Sequence, residues 1–304
     1  MIPSLMPAQR LALGEVSEFY RVPAIAGGNQ PRRVRFGLLA DPQYADAEPD
    51  ARNNRHYRRS LDKLADAVAE LNRRDLDFVV TLGDLVDRDW SAFADILPLY
   101  RQLRHPHLTV MGNHDADVVS RHLYAQRPPL GLPKHYFQFA VAGYRFIAID
   151  GNDLSLYCNP ANGDEYQQAQ RMLAETLAAG QPQAQPWNGA LGAAQLRWLE
   201  QALQGAADRQ EIIIVLGHYP LAPRNKHNLW NNEPVVQLLR RYRARAYFGG
   251  HQHGGGYQRI DHTDFITLKG MVDGADGVPF AVAELSGAEL ILTGFGPQES
   301  LALK

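Results

Sequence analysis

Phe78-Val79-Val80-Thr81-Leu82 runs without a break into Gly83-Asp84-Leu85-Val86-Asp87, so a short apolar segment stops at a glycine and hands over to two carboxylates. Such a run, bounded by glycine, reads as a buried strand. Outward from it the same pattern recurs four times. Phe36-Gly37-Leu38-Leu39 leads into Ala40-Asp41-Pro42-Gln43, and Leu108-Thr109-Val110-Met111 into Gly112-Asn113-His114-Asp115. Ile212-Ile213-Ile214-Val215-Leu216 leads into Gly217-His218, and Ala246-Tyr247-Phe248 is soon followed by Gly250-His251-Gln252-His253. In open α/β sheets ligands bind just beyond the carboxyl ends of strands, so the five loops are expected to gather their carboxylates, amides and imidazoles at one edge of the sheet.

The rest of the chain supports an α/β class. Leu61, Leu64, Val68 and Leu71 recur at helical spacing after the first polar loop, and Leu196, Leu199 and Leu203 do so before the fourth. Such alternation predicts helices packed on a sheet. Residues 1–33, with Pro23, Gly27, Gly28 and Pro31, read as an N-terminal arm or irregular lead-in, and 34–304 as a single domain. The Pro- and Gln-rich stretch 181–189 reads as a surface loop rather than a linker, since polar strand ends lie on both sides of it. Phe265-Ile266-Thr267-Leu268, the segment 280–285 and Leu290-Ile291-Leu292 read as strands completing a second sheet.

Composition removes several classes of function. The 304 residues, 45% hydrophobic, suffice for a substantial core. Cys158 is the sole cysteine, which excludes an internal disulfide and a multi-thiolate metal site. A formal net charge of −2, without a long Lys or Arg block, argues against nucleic acid and suits a small anionic partner. Met1–Pro7 is followed by Arg10, Glu15 and Glu18, so neither a signal peptide nor a membrane span is expected and a cytoplasmic location is the default. No residue pattern bears on oligomeric state. No Gly-x-x-x-x-Gly-Lys loop or Gly-x-Ser-x-Gly elbow is present to support ATP-driven or serine-nucleophile chemistry.

Asp41-x-Gln43, Gly83-Asp84-x-x-Asp87, Gly112-Asn113-His114-Asp115, Gly217-His218 and Gly250-His251-x-His253 stand in the order of the calcineurin-like metallophosphoesterase signature, which the chain resembles over most of its length. Gly192–Leu199 is similar to the helix that precedes the Gly-His strand in many members. Gln43 departs from the majority, which has His there, and Asp-x-Gln is similar to the manganese-dependent ADP-ribose/CDP-alcohol diphosphatase branch. The resemblance implies two packed mixed β-sheets flanked by helices, a four-layer α/β/β/α fold. It also implies a binuclear phosphohydrolase in which a metal-bridging hydroxide attacks a small phosphate-containing substrate.

Two divalent ions roughly 3.5–4 Å apart supply both the nucleophile and the charge relief that this chemistry needs at neutral pH. The resemblance assigns the bridging carboxylate to Asp84, with Asp41, Gln43 and His253 completing one site and Asn113, His218 and His251 the other. It gives His114 the general-acid position facing the leaving group. Two carboxylates under two dications leave an excess of positive charge that favours anionic substrates. Gln43 offers a neutral hard oxygen where relatives have imidazole, which makes Mn²⁺ the first choice over Fe, Zn or Mg. On an extended segment His251 and His253 would point the same way and reach adjacent metals, with Gly254, Gly255 and Gly256 letting the loop fold close. Asp87 is read as orienting His114 or its loop, and Asp115 as either holding the imidazole or capping the turn.

Simpler readings stand beside these. His56, His105, His107, His122, His135, His227 and His262 lack a ligand context and read as surface or packing residues. Arg52, Arg55 and Arg59 would share a face if helical and clamp a distal phosphate, but pairing of Arg55, Arg58 or Arg59 with Asp62 is the simpler account. Tyr44, Trp187 and Trp230 stack on a nucleobase in one reading and form plain pocket walls in the other. Three classes of function follow: a diphosphatase or phosphodiesterase for nucleotide-like molecules, a phosphomonoesterase, and a catalytically silent scaffold of the same fold. All seven expected ligand positions are filled, which counts against the last.

Overall fold

Two six-stranded sheets lie face to face in the computed structural model, which describes residues 13–25, 32–124 and 135–304. The first runs in the order β12 (Leu301–Leu303), β11 (Glu289–Phe295), β10 (Phe280–Ser286), β1 (Val34–Leu39), β2 (Phe78–Thr81) and β3 (His107–Thr109). The second runs β4 (Phe137–Val141), β5 (Tyr144–Ala148), β6 (Ile212–Leu216), β7 (Ala246–Gly249), β9 (Thr263–Lys269) and β8 (Gly254–Ile260). Strands β1, β2 and β3 are mutually parallel, as are β5, β6, β7 and β9, and every pairing with β4, β8 or β10–β12 is antiparallel.

Period-2 alternation sorts the strand side chains into layers. Phe36, Leu38, Phe78 and Val80 of the first sheet meet Phe146, Ile214, Leu216 and Phe248 of the second in one buried cluster. Phe36 stacks on Phe78 at 5.1 Å and meets Phe146 and Phe248 edge-on at 5.4 and 5.8 Å. The alternate residues face outward. Leu39 and Val79 pack with Leu64 and Val68 of α2 (Arg59–Asn72), Phe93 and Ile96 of α3 (Ala92–Tyr100), and Val119 of α4 (Asn113–Tyr124). Ile213 and Val215 pack with Leu199 and Leu203 of α6 (Ala193–Asp208) and Val235 and Leu239 of α7 (Asn232–Arg241). These are the four α/β/β/α layers. The ring-filled middle layer fixes how the two sheets sit against each other, and so fixes the spacing of anything carried at their ends.

Three features depart from expectation. The ligand-bearing strands are divided between the sheets, β1–β3 in one and β6 and β7 in the other. Of the tail strands only β9 joins the second sheet; β10 pairs with β1 (Phe36 opposite Ala283), because Phe280–Ala283 is buried on both faces and needs a central position. Gly254, Gly255 and Gly256 begin the edge strand β8, paired with β9, rather than a flexible loop. The lead-in also contains a helix, α1 (Leu13–Phe19), which buries Val16 and is followed by the buried Tyr20, with Phe19 5.4 Å from the Tyr100 ring. Met1–Pro7, Arg10, Gly27, Gly28 and Pro31 lie outside the described residues. The stretch 181–189 is a loop leading towards α6, beyond α5 (Asp164–Ala178). Among the described residues no helix is long and apolar enough to cross a membrane.

Candidate metal centre

The five loops meet where the C-terminal ends of β1–β3 face those of β6 and β7. Four of the seven expected ligands, Asp41, Gln43, Asp84 and His251, have φ between 43° and 64°. Left-handed backbone costs an L-residue roughly 1–3 kcal/mol and persists only where the surroundings enforce it. Here the enforcement is a lattice of loop hydrogen bonds. Asp41 N donates to Gly83 O at 3.2 Å, Gln43 N to Asp84 O at 2.7 Å, and Gly250 N to His218 O at 2.7 Å. His251 N donates to both carboxylate oxygens of Asp41 at 3.0 Å, tying the second sheet to the first. The left-handed His251 also means that the 250–253 segment is a turn, not the extended stretch expected, so the two histidines diverge.

The first donor set is Asp41, Gln43, Asp84 and His253. Gln43 Nε2 lies 2.9 Å from Asp84 Oδ2 and 3.2 Å from His253 Nε2, and Asp41 Oδ1 is 3.8 Å from that same nitrogen. Neighbouring ligands of an octahedral ion at about 2.1 Å stand about 3 Å apart, so this spacing fits a shared cation with the Gln43 amide turned over to put its oxygen where the nitrogen lies. Gln43 Oε1 is buried without a hydrogen-bond partner. An orphaned buried acceptor costs about 1–3 kcal/mol, and a cation would relieve it. The residues therefore fit a divalent ion.

The second set is Asp84, Asn113, His218 and His251. His218 Nδ1 donates to Leu82 O at 2.7 Å, which turns Nε2 towards Asn113 Oδ1 at 3.0 Å and Asp84 Oδ2 at 3.3 Å. Three acceptors then converge, and only a proton or a cation can sit among them. Burial works against a charged His218 ring, but the charge and hydrogen bond of Asp84 outweigh it and hold the pKa up at about 9. Burial, with the charge of His218 adding, pushes His251 well below the usual histidine range. Donor atoms of Asp84, His218 and His251 all lie within 4.8 Å of one another.

Each imidazole is oriented from behind. His253 Nδ1 donates to Asp273 Oδ1 at 2.7 Å, and His251 Nε2 to Asn188 Oδ1 at 2.9 Å. His114, a quarter exposed, has Nδ1 2.8 Å from Asp87 Oδ1 and its backbone N–H on Asp84 Oδ1 at 2.9 Å. Burial opposes its charge, and Asp84 and Asp87 more than compensate, raising it to about 8. Asp87 is thus the residue that orients His114. Asp115 takes the other role offered for it, accepting from the backbone of Leu85, Val86 and Gly112 and capping the turn.

Sequence reasoning missed Asp273 and Asn188, because a Val-Asp-Gly turn and a Trp-Asn-Gly loop look like ordinary punctuation. His227 is a packing residue as expected, its ring meeting His251 edge-on at 5.2 Å. Arg52, Arg55 and Arg59 share no helical face, since α2 begins at Arg59. Arg59 pairs with Asp62, and Arg58 with Asp46 and Glu48. Of the three aromatic candidates, Tyr44 and Trp230 are buried, bonded to Asp95 and to Gln185 O, while Trp187 is 40% exposed beside Asn188. Gly112 has no room for a side chain: a Cβ there would collide with Asp84 Oδ1 and the Asp84 backbone nitrogen. Gly112→Ala should therefore displace Asp84 and weaken binding of both ions at least tenfold, read by metal titration of the folded variant.

Donors from two sheets closing on a shared carboxylate define a binuclear metallohydrolase. A profile of the calcineurin-like phosphoesterases matches residues 34–255, and the chain belongs to that family. It is 30% identical over 253 residues to the manganese-dependent ADP-ribose/CDP-alcohol diphosphatase of Arabidopsis thaliana, covering 73% of this chain and 80% of that protein. The protein of the same description from Danio rerio is 28% identical over 317 residues, 88% of this chain and 97% of the relative. The crystal structure of a dimetal phosphatase from Danio rerio matches with a TM-score of 0.80 at 26% identity, over 89% of this chain and 98% of that one. The chain is a metal-dependent hydrolase of phosphoric esters or anhydrides.

Proposed function

We propose that the chain hydrolyses the diphosphate bond of small nucleotide-like substrates of the ADP-ribose or CDP-alcohol type, in one domain spanning 34–304 preceded by an N-terminal arm, 1–33. The reading is carried by the Gln43 amide, whose nitrogen lies against Asp84 and His253 and whose buried oxygen has no partner. Asp41, Gln43, Asp84 and His253 would hold one divalent ion, and Asp84, Asn113, His218 and His251 the other. When bound, the pair supplies an activated water and draws off phosphoryl charge. The protein's own groups do the rest. Asp84 spaces the two sets, Asp87 aims His114, and His114 Nε2 delivers a proton to the departing oxygen.

Assay of the manganese-loaded protein against ADP-ribose, CDP-alcohols, cyclic nucleotides and an alkyl phosphomonoester should give kcat/KM at least tenfold higher for the diphosphates. A preference for the phosphomonoester would overturn the reading. Manganese follows from the neutral hard oxygen of Gln43. Gln43→His should raise activity with zinc relative to manganese several-fold, and an unchanged metal ranking would show that another residue sets the preference.

A further inference from the structure

Asn188 is fully buried, and both its amide nitrogen and its amide oxygen are engaged. Nδ2 donates to Gln183 O at 3.0 Å and to Lys226 O at 2.8 Å. Backbone carbonyls only accept, so these two bonds decide which end of the amide is nitrogen. The remaining atom, Oδ1, faces His251 Nε2 at 2.9 Å. An amide oxygen cannot donate, so the proton of that contact belongs to Nε2, and the lone pair of a neutral ring is then on Nδ1.

We propose that Asn188 is a positioning residue that locks His251 into the Nε2–H tautomer and thereby presents Nδ1 to the second ion. The inference rests on the reading of His251 as a ligand. It goes further by naming the donor atom and the group that selects it. The lock differs in kind from its two counterparts: His218 leans on a backbone carbonyl and His253 on a carboxylate, whereas His251 depends on an amide whose orientation is set by two separate loops. The 181–189 loop supplies Gln183 O and the 220–228 loop supplies Lys226 O, so both must be in place for His251 to hold its tautomer.

The test begins with the wild-type protein. Long-range ¹⁵N–¹H correlation of ¹⁵N-histidine-labelled, metal-free protein should show His251 as the Nε2–H tautomer, its signals assigned by their absence in His251→Gln. An Nδ1–H tautomer there overturns the proposal, whatever the variants do. In Asn188→Ala the tautomer preference should be lost and affinity for the second ion should fall ten- to a hundredfold, measured by manganese titration, while the first ion stays. Asn188→Asp keeps an acceptor for Nε2–H but offers nothing to the two carbonyls; it should hold the tautomer and the second ion better than Asn188→Ala. If His251→Gln binds two ions as tightly as wild type, the ligand assignment itself fails. If His251→Gln loses one ion and Asn188→Ala keeps both with the tautomer unchanged, only the role of Asn188 fails.

Discussion

Asp84→Ala should leave a folded protein that holds neither ion firmly and turns over diphosphate substrates on the order of 10³–10⁵-fold more slowly. One atom carries the argument: Asp84 Oδ2 lies 2.9 Å from the Gln43 amide nitrogen and 3.3 Å from His218 Nε2, so it faces both donor sets. Loss of any other ligand depletes one set; loss of Asp84 depletes both. Binding to the native state alone adds about 4 kcal/mol per ion at a thousandfold excess over Kd, so manganese should raise the melting temperature of the wild type and not of the variant. A variant with two ions and an undiminished thermal shift would end the bridging assignment.

The same carboxylate shapes the pH response of the chelated wild type. Burial, with the Asp84 charge adding, raises Asp41 to about 6 and Asp115 to about 7, while His218 is held up at about 9. All three bind protons more tightly folded than unfolded, so their contribution is fully present at low pH. It is lost as pH rises through about 4 to 7 for the carboxyls and about 6.5 to 9 for His218. His107, His227 and His251, which burial holds below the usual histidine range, contribute stability as pH rises towards about 6.5 and oppose this. Denaturation midpoints of the metal-free protein should therefore fall between pH 7 and pH 9, where His114 and His218 release their protons. With manganese bound, those protons are displaced and the slope should flatten or reverse.

What was legible in the sequence was whatever burial on both faces of a strand writes into it. Phe78–Leu82 and Ile212–Leu216 are apolar at every or nearly every position because they lie between helices and the opposing sheet, and each stops where the chain turns to the site. The hairpin β4–β5 was not found, since Phe137–Val141 is only half-buried and its apolar residues do not form a clean run. The assignment of the tail strands to one sheet failed for another reason. Strand partners are chosen by long-range packing: β10 sits beside β1 across more than 240 residues, and nothing local records that. At the site the motifs carried the ligands, but not the residues that orient them. Asp273 and Asn188 reach His253 and His251 only through the turn at 250–253, whose left-handed His251 no spacing rule anticipates.

His114→Ala should keep both ions and lose rate, because the imidazole lies beside the Asn113 donor set without belonging to it. Its Nδ1 is taken by Asp87, its backbone N–H by Asp84, and its other nitrogen is left for the substrate side of a ring still 24% exposed. Removing a positioned proton donor costs on the order of 10²–10⁴-fold. The cost should depend on the leaving group. A nucleoside monophosphate departs from a diphosphate bond as a stable anion, whereas an alkoxide from an alkyl phosphodiester must be protonated as it leaves. The full loss is thus expected for the alkyl substrate and a much smaller one for the diphosphate, with manganese content unchanged in both assays. Because the backbone bond from His114 to Asp84 survives any side-chain change, the variant isolates the proton from the metal geometry. An equal loss for the two substrates would make His114 an electrostatic anchor for the phosphoryl group, and loss of an ion would make it structural.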